Sequence, residues 1–77
     1  MANQAAIDRY IIDRVRARRI ELDISQEHLS FLVGKSEGYI AQFESYKRGK
    51  HFSTRMLNEL AKALQCSPKD FMPEMPF

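Results

Sequence analysis

The chain has no tryptophan, one cysteine, three glycines and three prolines among its 77 residues. Cys66 by itself closes no internal disulfide, and with His28 and His51 as the sole histidines no metal-ligand set can be drawn. No apolar run approaches the ~18 residues a membrane span needs, and residues 1–20 carry Arg and Asp where a secretory leader would be apolar. Also lacking are a nucleophile–histidine–carboxylate set and a phosphate-cradling glycine loop, and so small a helical chain has little room for a cleft. The sequence therefore reads as not an enzyme, with no cofactor, no small-molecule ligand and no membrane partner. It reads as a single cytoplasmic domain over residues 1–77. With 44% hydrophobic and 29% charged residues it has the composition of a folded chain, not a disordered one.

The net charge is only +2, but it is divided unevenly. Residues 9–19 set Arg9, Arg14, Arg16, Arg18 and Arg19 against Asp13 alone, a local +4. Residues 47–55 set Lys47, Arg48, Lys50 and Arg55 against no acid, again +4. Between them, Glu21, Asp23, Glu27, Glu37 and Glu44 face Lys35 alone, giving −4. Two basic flanks around an acidic middle are either solvated faces or a grip for an anionic partner.

Strand-like alternation is missing, and helical spacing takes its place. Ile7, Ile11, Val15, Arg18 and Leu22, widened by Ile12, predict a first helix over roughly 5–22, with Asn3 as its cap. Ser25 is placed to cap a second helix bearing Leu29, Leu32 and Val33, which Gly34 ends by turning left-handed. Ser36 then caps a short third helix with Ile40 and Phe43 inward. Ser53 caps a fourth with Met56, Leu57, Leu60, Ala61 and Leu64 on one side. Ser67-Pro68-Lys69-Asp70 starts a fifth, which Pro73 cuts to about a turn and a half. The expected fold is all-α, a compact five-helix globule.

From Ile24 to Glu44 two short helices meet across Val33-Gly34-Lys35, with a small Ser30 where they cross. Apolar pairs at Leu29/Val33 and Ile40/Phe43 give them a shared core. That combination specifies a helix-turn-helix over 26–45. The residues Ile24-Ser25-Gln26-Glu27-His28-Leu29, Gly34-Lys35-Ser36, Tyr39-Ile40 and Glu44 resemble the Cro/repressor-type (XRE-like) helix-turn-helix family. Leu57 to Leu64 and Cys66-Ser67-Pro68 extend the resemblance to about residues 7–72. It is nearest the small stand-alone members. The resemblance implies a lambda-repressor-like DNA-binding domain that binds double-stranded operator DNA as a two-fold homodimer, and hence a transcriptional repressor.

Carried over by position, the third helix enters the major groove, and Glu37, Gly38, Tyr39, Ala41 and Gln42 are its base-reading candidates. Gln42 can pair with adenine and Glu37 can accept from cytosine N4, while Tyr39 can also meet a phosphate or sugar. Gln26 at the start of the second helix, Ser36, and the loop residues Lys47, Arg48, Lys50 and His51 are the phosphate candidates. The basic flanks are expected to grip the backbone and the polar helix to read. Gln26 and Gln42 are otherwise ordinary solvated glutamines, His28 an exposed residue and Cys66 a small core hydrophobe. Glu44 is expected to serve structure, bonding Arg14 or Arg18.

Two departures from the family stand out. Glu37 and Gly38 occupy positions usually polar or basic, and Glu-x-Gly-Lys is replaced by Glu44-Ser45-Tyr46-Lys47-Arg48-Gly49, which delays the glycine by three residues. They leave open an alternative on the same fold, a protein-interaction module or an antitoxin subunit with a toxin partner. The apolar tail 71–77 either folds back on its own core or fills a groove on a partner subunit.

Overall fold

Each helix of this chain has its start and stop written in a few polar or left-handed residues. The computed structural model describes residues 5–46 and 49–77. Four α-helices lie among them: α1 (Ala6–Glu21), α2 (Gln26–Leu32), α3 (Tyr39–Glu44) and α4 (Thr54–Ala63). The expected fifth helix is a single 3₁₀ turn, Pro68–Phe71. Ser67 and Asp70 cap it reciprocally, but Pro73 forces Met72 to be extended, so the turn cannot lengthen.

Ser25 and Ser53 cap α2 and α4 as expected, accepting from the His28 and Met56 amides at 2.9 and 3.0 Å. Asn3 lies outside the described residues, and the cap position of α1 falls to Ala5, which contributes no side-chain bond. Ser36 does not cap α3 either. Its carbonyl accepts from the Tyr39 amide at 3.0 Å in a turn, so the helix starts three residues later with Gly38 at its cap position.

All four helices end on a residue with positive φ: Asp23 at 57°, Gly34 at 74°, Tyr46 at 58° and Gln65 at 56°. At three of these ends the amide of the following residue reaches back to close the turn: Ile24 to the Arg19 carbonyl, Lys35 to Ser30 and Cys66 to Ala61, at 2.9–3.0 Å. Tyr46 takes this conformation despite its Cβ. Its hydroxyl donates to Asp13, and the Arg9 guanidinium lies 4.1 Å from its ring centre.

The core gathers Ile11, Ile12 and Val15 of α1, Leu29 of α2, Ile40 and Phe43 of α3, and Met56, Leu57, Leu60 and Ala61 of α4. Leu64, Phe71 and Phe52 complete it, the last stacked on Phe43 at 4.2 Å. Phe52 escaped the sequence reading because it belongs to no periodic stripe. Leu32, one of the apolar residues carried by α2, is 43% exposed, because the inward side of the helix runs through Leu29, Ser30 and Val33. Cys66 is half-buried against the core, and burial pushes its thiol pKa up. The tail lies back along α1, with Phe71 buried and Phe77 edge-on to Tyr10 at 5.6 Å, while Met72 and Met75 stay exposed.

Arg16 and Arg19 of α1 both pair with Glu44 of α3, and Arg19 is the closer. Arg19 donates to both oxygens of Glu44 at 2.9 and 2.8 Å and to the Ile24 carbonyl at 2.8 Å. The side chains are 11% and 4% exposed. Glu44→Ala would leave a buried guanidinium without its carboxylate, an expected loss of about 3 kcal/mol by urea denaturation. Glu59→Ala, which breaks a surface pair with Lys62, should cost under ~1 kcal/mol.

Candidate nucleic-acid interface

The short helix α3 lies against α2, with Ile40 and Phe43 turned into the core. That burial leaves Ser36, Glu37, Gly38 and Gln42 exposed on its outer side, with Tyr39 and Ala41 half-buried between. These are the residues the sequence singled out for base reading, together with Ser36. Tyr39 packs on Phe43 at 4.9 Å, and Lys35 lies 5.6 Å from the Tyr39 ring centre, so the phenol has limited freedom. Partial burial also raises its pKa and keeps it protonated.

Gly38 takes φ −87°, a conformation open to any residue, and an added Cβ would meet nothing within 4 Å. The folded chain itself therefore does not require glycine there.

The phosphate candidates have less uniform surroundings. Gln26 is half-buried and donates its amide to Glu44 at 2.9 Å. Lys50 sets its ammonium 5.5 Å from the Phe43 ring centre, while His51 is exposed. Lys47 and Arg48 lie outside the described residues.

The first basic flank behaves differently from expectation. Arg9 covers Tyr46, Arg14 donates to the Asp70 carbonyl at 3.5 Å, Arg16 lies 3.6 Å from Glu44, and Arg19 holds the same carboxylate. Arg18 donates to the carbonyls of Leu64 and Gln65 and to Glu21. It therefore caps the end of α4, while Arg19 makes the Glu44 pair expected of Arg14 or Arg18. All five arginines of this flank have partners inside the chain, and these contacts help hold α1 in place, although Arg9, Arg14 and Arg16 still face solvent. Adjacent helical side chains diverge by 100°, and the crossing angle that chose Arg19 over Arg18 is not visible in a linear pattern.

Beside the outer edge of α3 is a shallow hollow lined by Ser25, Glu27, His28, Phe31, Lys35 and Glu37. Glu27, when protonated, donates to the Glu37 carboxylate, and the like charge adds to the effect, so the Glu27 pKa lies above the ordinary range. Among the described residues no group of three His, Cys, Asp or Glu side chains could hold a metal ion. None of the helices is long and apolar enough to cross a membrane.

A helix-turn-helix family model matches residues 15–71 of this sequence. The chain belongs to that family, the XRE-like class of DNA-binding, transcription-regulating domains. Its fold is similar to that of the P22 c2 repressor protein, solved in complex with a synthetic operator, at 37% identity and a TM-score of 0.66. The match covers 84% of this chain and 96% of the repressor chain. A hypothetical transcription factor from Neisseria shares the fold at 18% identity and a TM-score of 0.73, covering 94% of this chain and 87% of that one. So does hydroxypropylphosphonic acid epoxidase from S. wedmorenis, at 19% identity, a TM-score of 0.75 and 90% of this chain. This chain spans only 36% of the epoxidase, and at such identity the likeness concerns the fold alone. Among curated proteins, none matches the sequence.

The carboxylate pair gives this helix-turn-helix a pH signature. The raised Glu27 pKa means the folded state binds this proton more tightly than the unfolded state, so the repulsion operates above the titration and vanishes below it. Glu37→Gln should be more stable than the parent at neutral pH, and the gain should shrink or reverse once Glu27 is protonated and its hydrogen bond to the Glu37 carboxylate forms in the parent. Carbon-detected titration should show the Glu27 midpoint falling in that variant; an unmoved midpoint contradicts the pairing.

Proposed function

We propose that the chain is a sequence-specific DNA-binding regulator, a dimeric repressor that inserts segment 36–45 in the major groove. The observation that carries this reading is the pose of α3: inner side in the core, far end held by a buried ion pair, outer edge exposed. The operator-bound P22 c2 repressor supports it from a second direction. Glu37, Gly38, Tyr39, Ala41 and Gln42 face base edges in this reading, while Gln26, Ser36, Lys47, Arg48, Lys50 and His51 meet the backbone. Catalysis has no part in it. Two copies on half-sites one helical turn apart have recognition helices about 34–36 Å apart. A domain whose longest dimension is 29 Å fits one copy per half-site.

Selection of bound duplexes from a random pool tests the reading. The expected result is enrichment of a two-fold symmetric site. A pool that shows no enrichment and no binding at low salt overturns it. The interaction-module alternative would then take its place, with the 76% exposed Phe31 on α2 as its first contact to test.

On the enriched site, Gln42→Ala should cost about 1–3 kcal/mol and blur preference at one or two base pairs. Replacing Lys47, Arg48 and Lys50 with alanine should instead weaken binding to every duplex and flatten its salt dependence. Gly38→Ala should leave thermal stability unchanged or slightly raised, because the Cβ has room and the unfolded chain loses freedom. If the bare backbone makes a close approach to DNA, operator affinity should fall while stability holds.

A further inference from the structure

Ser30 entered the sequence reading as a small residue where two helices cross, but its hydroxyl does more than save space. The side chain is fully buried, and Oγ makes two hydrogen bonds. It donates to the Gln26 carbonyl at 2.9 Å, one turn back on α2, and accepts from the Ile40 amide at 3.0 Å, in the first turn of α3. The first amides of a helix have no partner within it. Helix α3 supplies no side-chain cap of its own, since Gly38 stands at that position. Ile40 is fully buried, so its N–H cannot turn to water.

The same residue of α2 also holds the other end of α3, because the Gln26 side chain donates to Glu44 at 2.9 Å. Both ends of a helix only six residues long are thus referred to Gln26: the end through Glu44, and the start through Ser30. We propose that Ser30 is a positioning residue for base reading, its hydroxyl fixing the first turn of α3 against α2. This rests on the DNA-binding reading for its functional half, while the clamp itself is a property of the free protein.

Loss of the hydroxyl leaves the Ile40 amide buried without an acceptor. The first turn of α3 must then fray or tilt to admit water, and the outer residues it displaces are the base-reading candidates around Tyr39. The basic loop after α3 is not touched. Sequence discrimination should therefore suffer more than general affinity for DNA.

The test compares the parent with Ser30→Ala in two measurements. In the free protein, amide hydrogen exchange at Ile40 should quicken about tenfold or more, while Leu60 in α4 keeps its protection. On DNA, the ratio of affinity for the selected site to that for random duplex should fall at least about fivefold, with random-duplex affinity within about twofold of the parent. Should the alanine variant fail to fold, Ser30→Cys, of similar volume with a weak acceptor, carries the same comparison. Unchanged exchange at Ile40 overturns the clamp, as does an unchanged ratio its role in reading. Faster exchange in the variant, with a parent that itself binds no duplex, supports the clamp and instead removes the DNA-binding reading.

Discussion

Burying a carboxylate is costly unless its charge and lone pairs are met, and Glu44 is 4% exposed at the end of α3. Arg19 meets it with two hydrogen bonds from α1, Gln26 adds one from α2, and Arg16 stands 3.6 Å away. Three helices therefore converge on one functional group. Such a pair adds little net stability over well-packed apolar residues, but its geometry is narrow. If α3 slides or rotates against α1, two charge-assisted bonds break together. The exposed edge of α3 inherits its orientation from a contact on the opposite side of the helix.

The starts of the helices were largely legible, because serine caps act through bonds three residues long. Ser25, Ser53 and the Ser67–Asp70 pair follow that rule. Their ends were legible only at Gly34. Asp23, Tyr46 and Gln65 adopt the same left-handed conformation without advertising it, and each is sustained by backbone bonds or tertiary contacts. Tyr46 is the most instructive, since it stands where related sequences carry glycine. The glycine looked displaced, yet the left-handed turn did not move: a tyrosine occupies it, held by Asp13 and Arg9 of α1.

The candidate interface divides in the same way. That α3 presents Gln42 outward follows from where Ile40 and Phe43 must go, while the rest of the candidate set came from the family resemblance by position. Ser30 and Arg19 were invisible in their actual roles because both depend on partners chosen by helix crossing. A serine at a crossing reads as small, and whether its hydroxyl is used depends on the amide that arrives opposite it. Phe52, the stacking partner of Phe43, sits in a connecting loop where no period exists to flag it.

Charge is where structure most alters the picture given by composition. The arginines of α1 hold Tyr46, Glu44 and the end of α4, so the first basic flank serves the fold even where it faces solvent. Residues 47–55, after α3, carry four basic side chains and no acid, while Glu27 and Glu37 stand before it. An acid near the exposed edge of α3 looks prohibitive for an anionic partner, but the magnitudes argue otherwise. Two unit charges 10 Å apart in water interact by about 0.4 kcal/mol, and physiological salt screens that further over a Debye length of about 8 Å. One well-formed base contact discriminates by about 1–3 kcal/mol. A carboxylate at Glu37 therefore weakens general attraction to an anionic partner by less than one well-formed base contact would contribute. The acidic start of α3 is compatible with a reader of sequence whose hold on the backbone lies elsewhere in the chain.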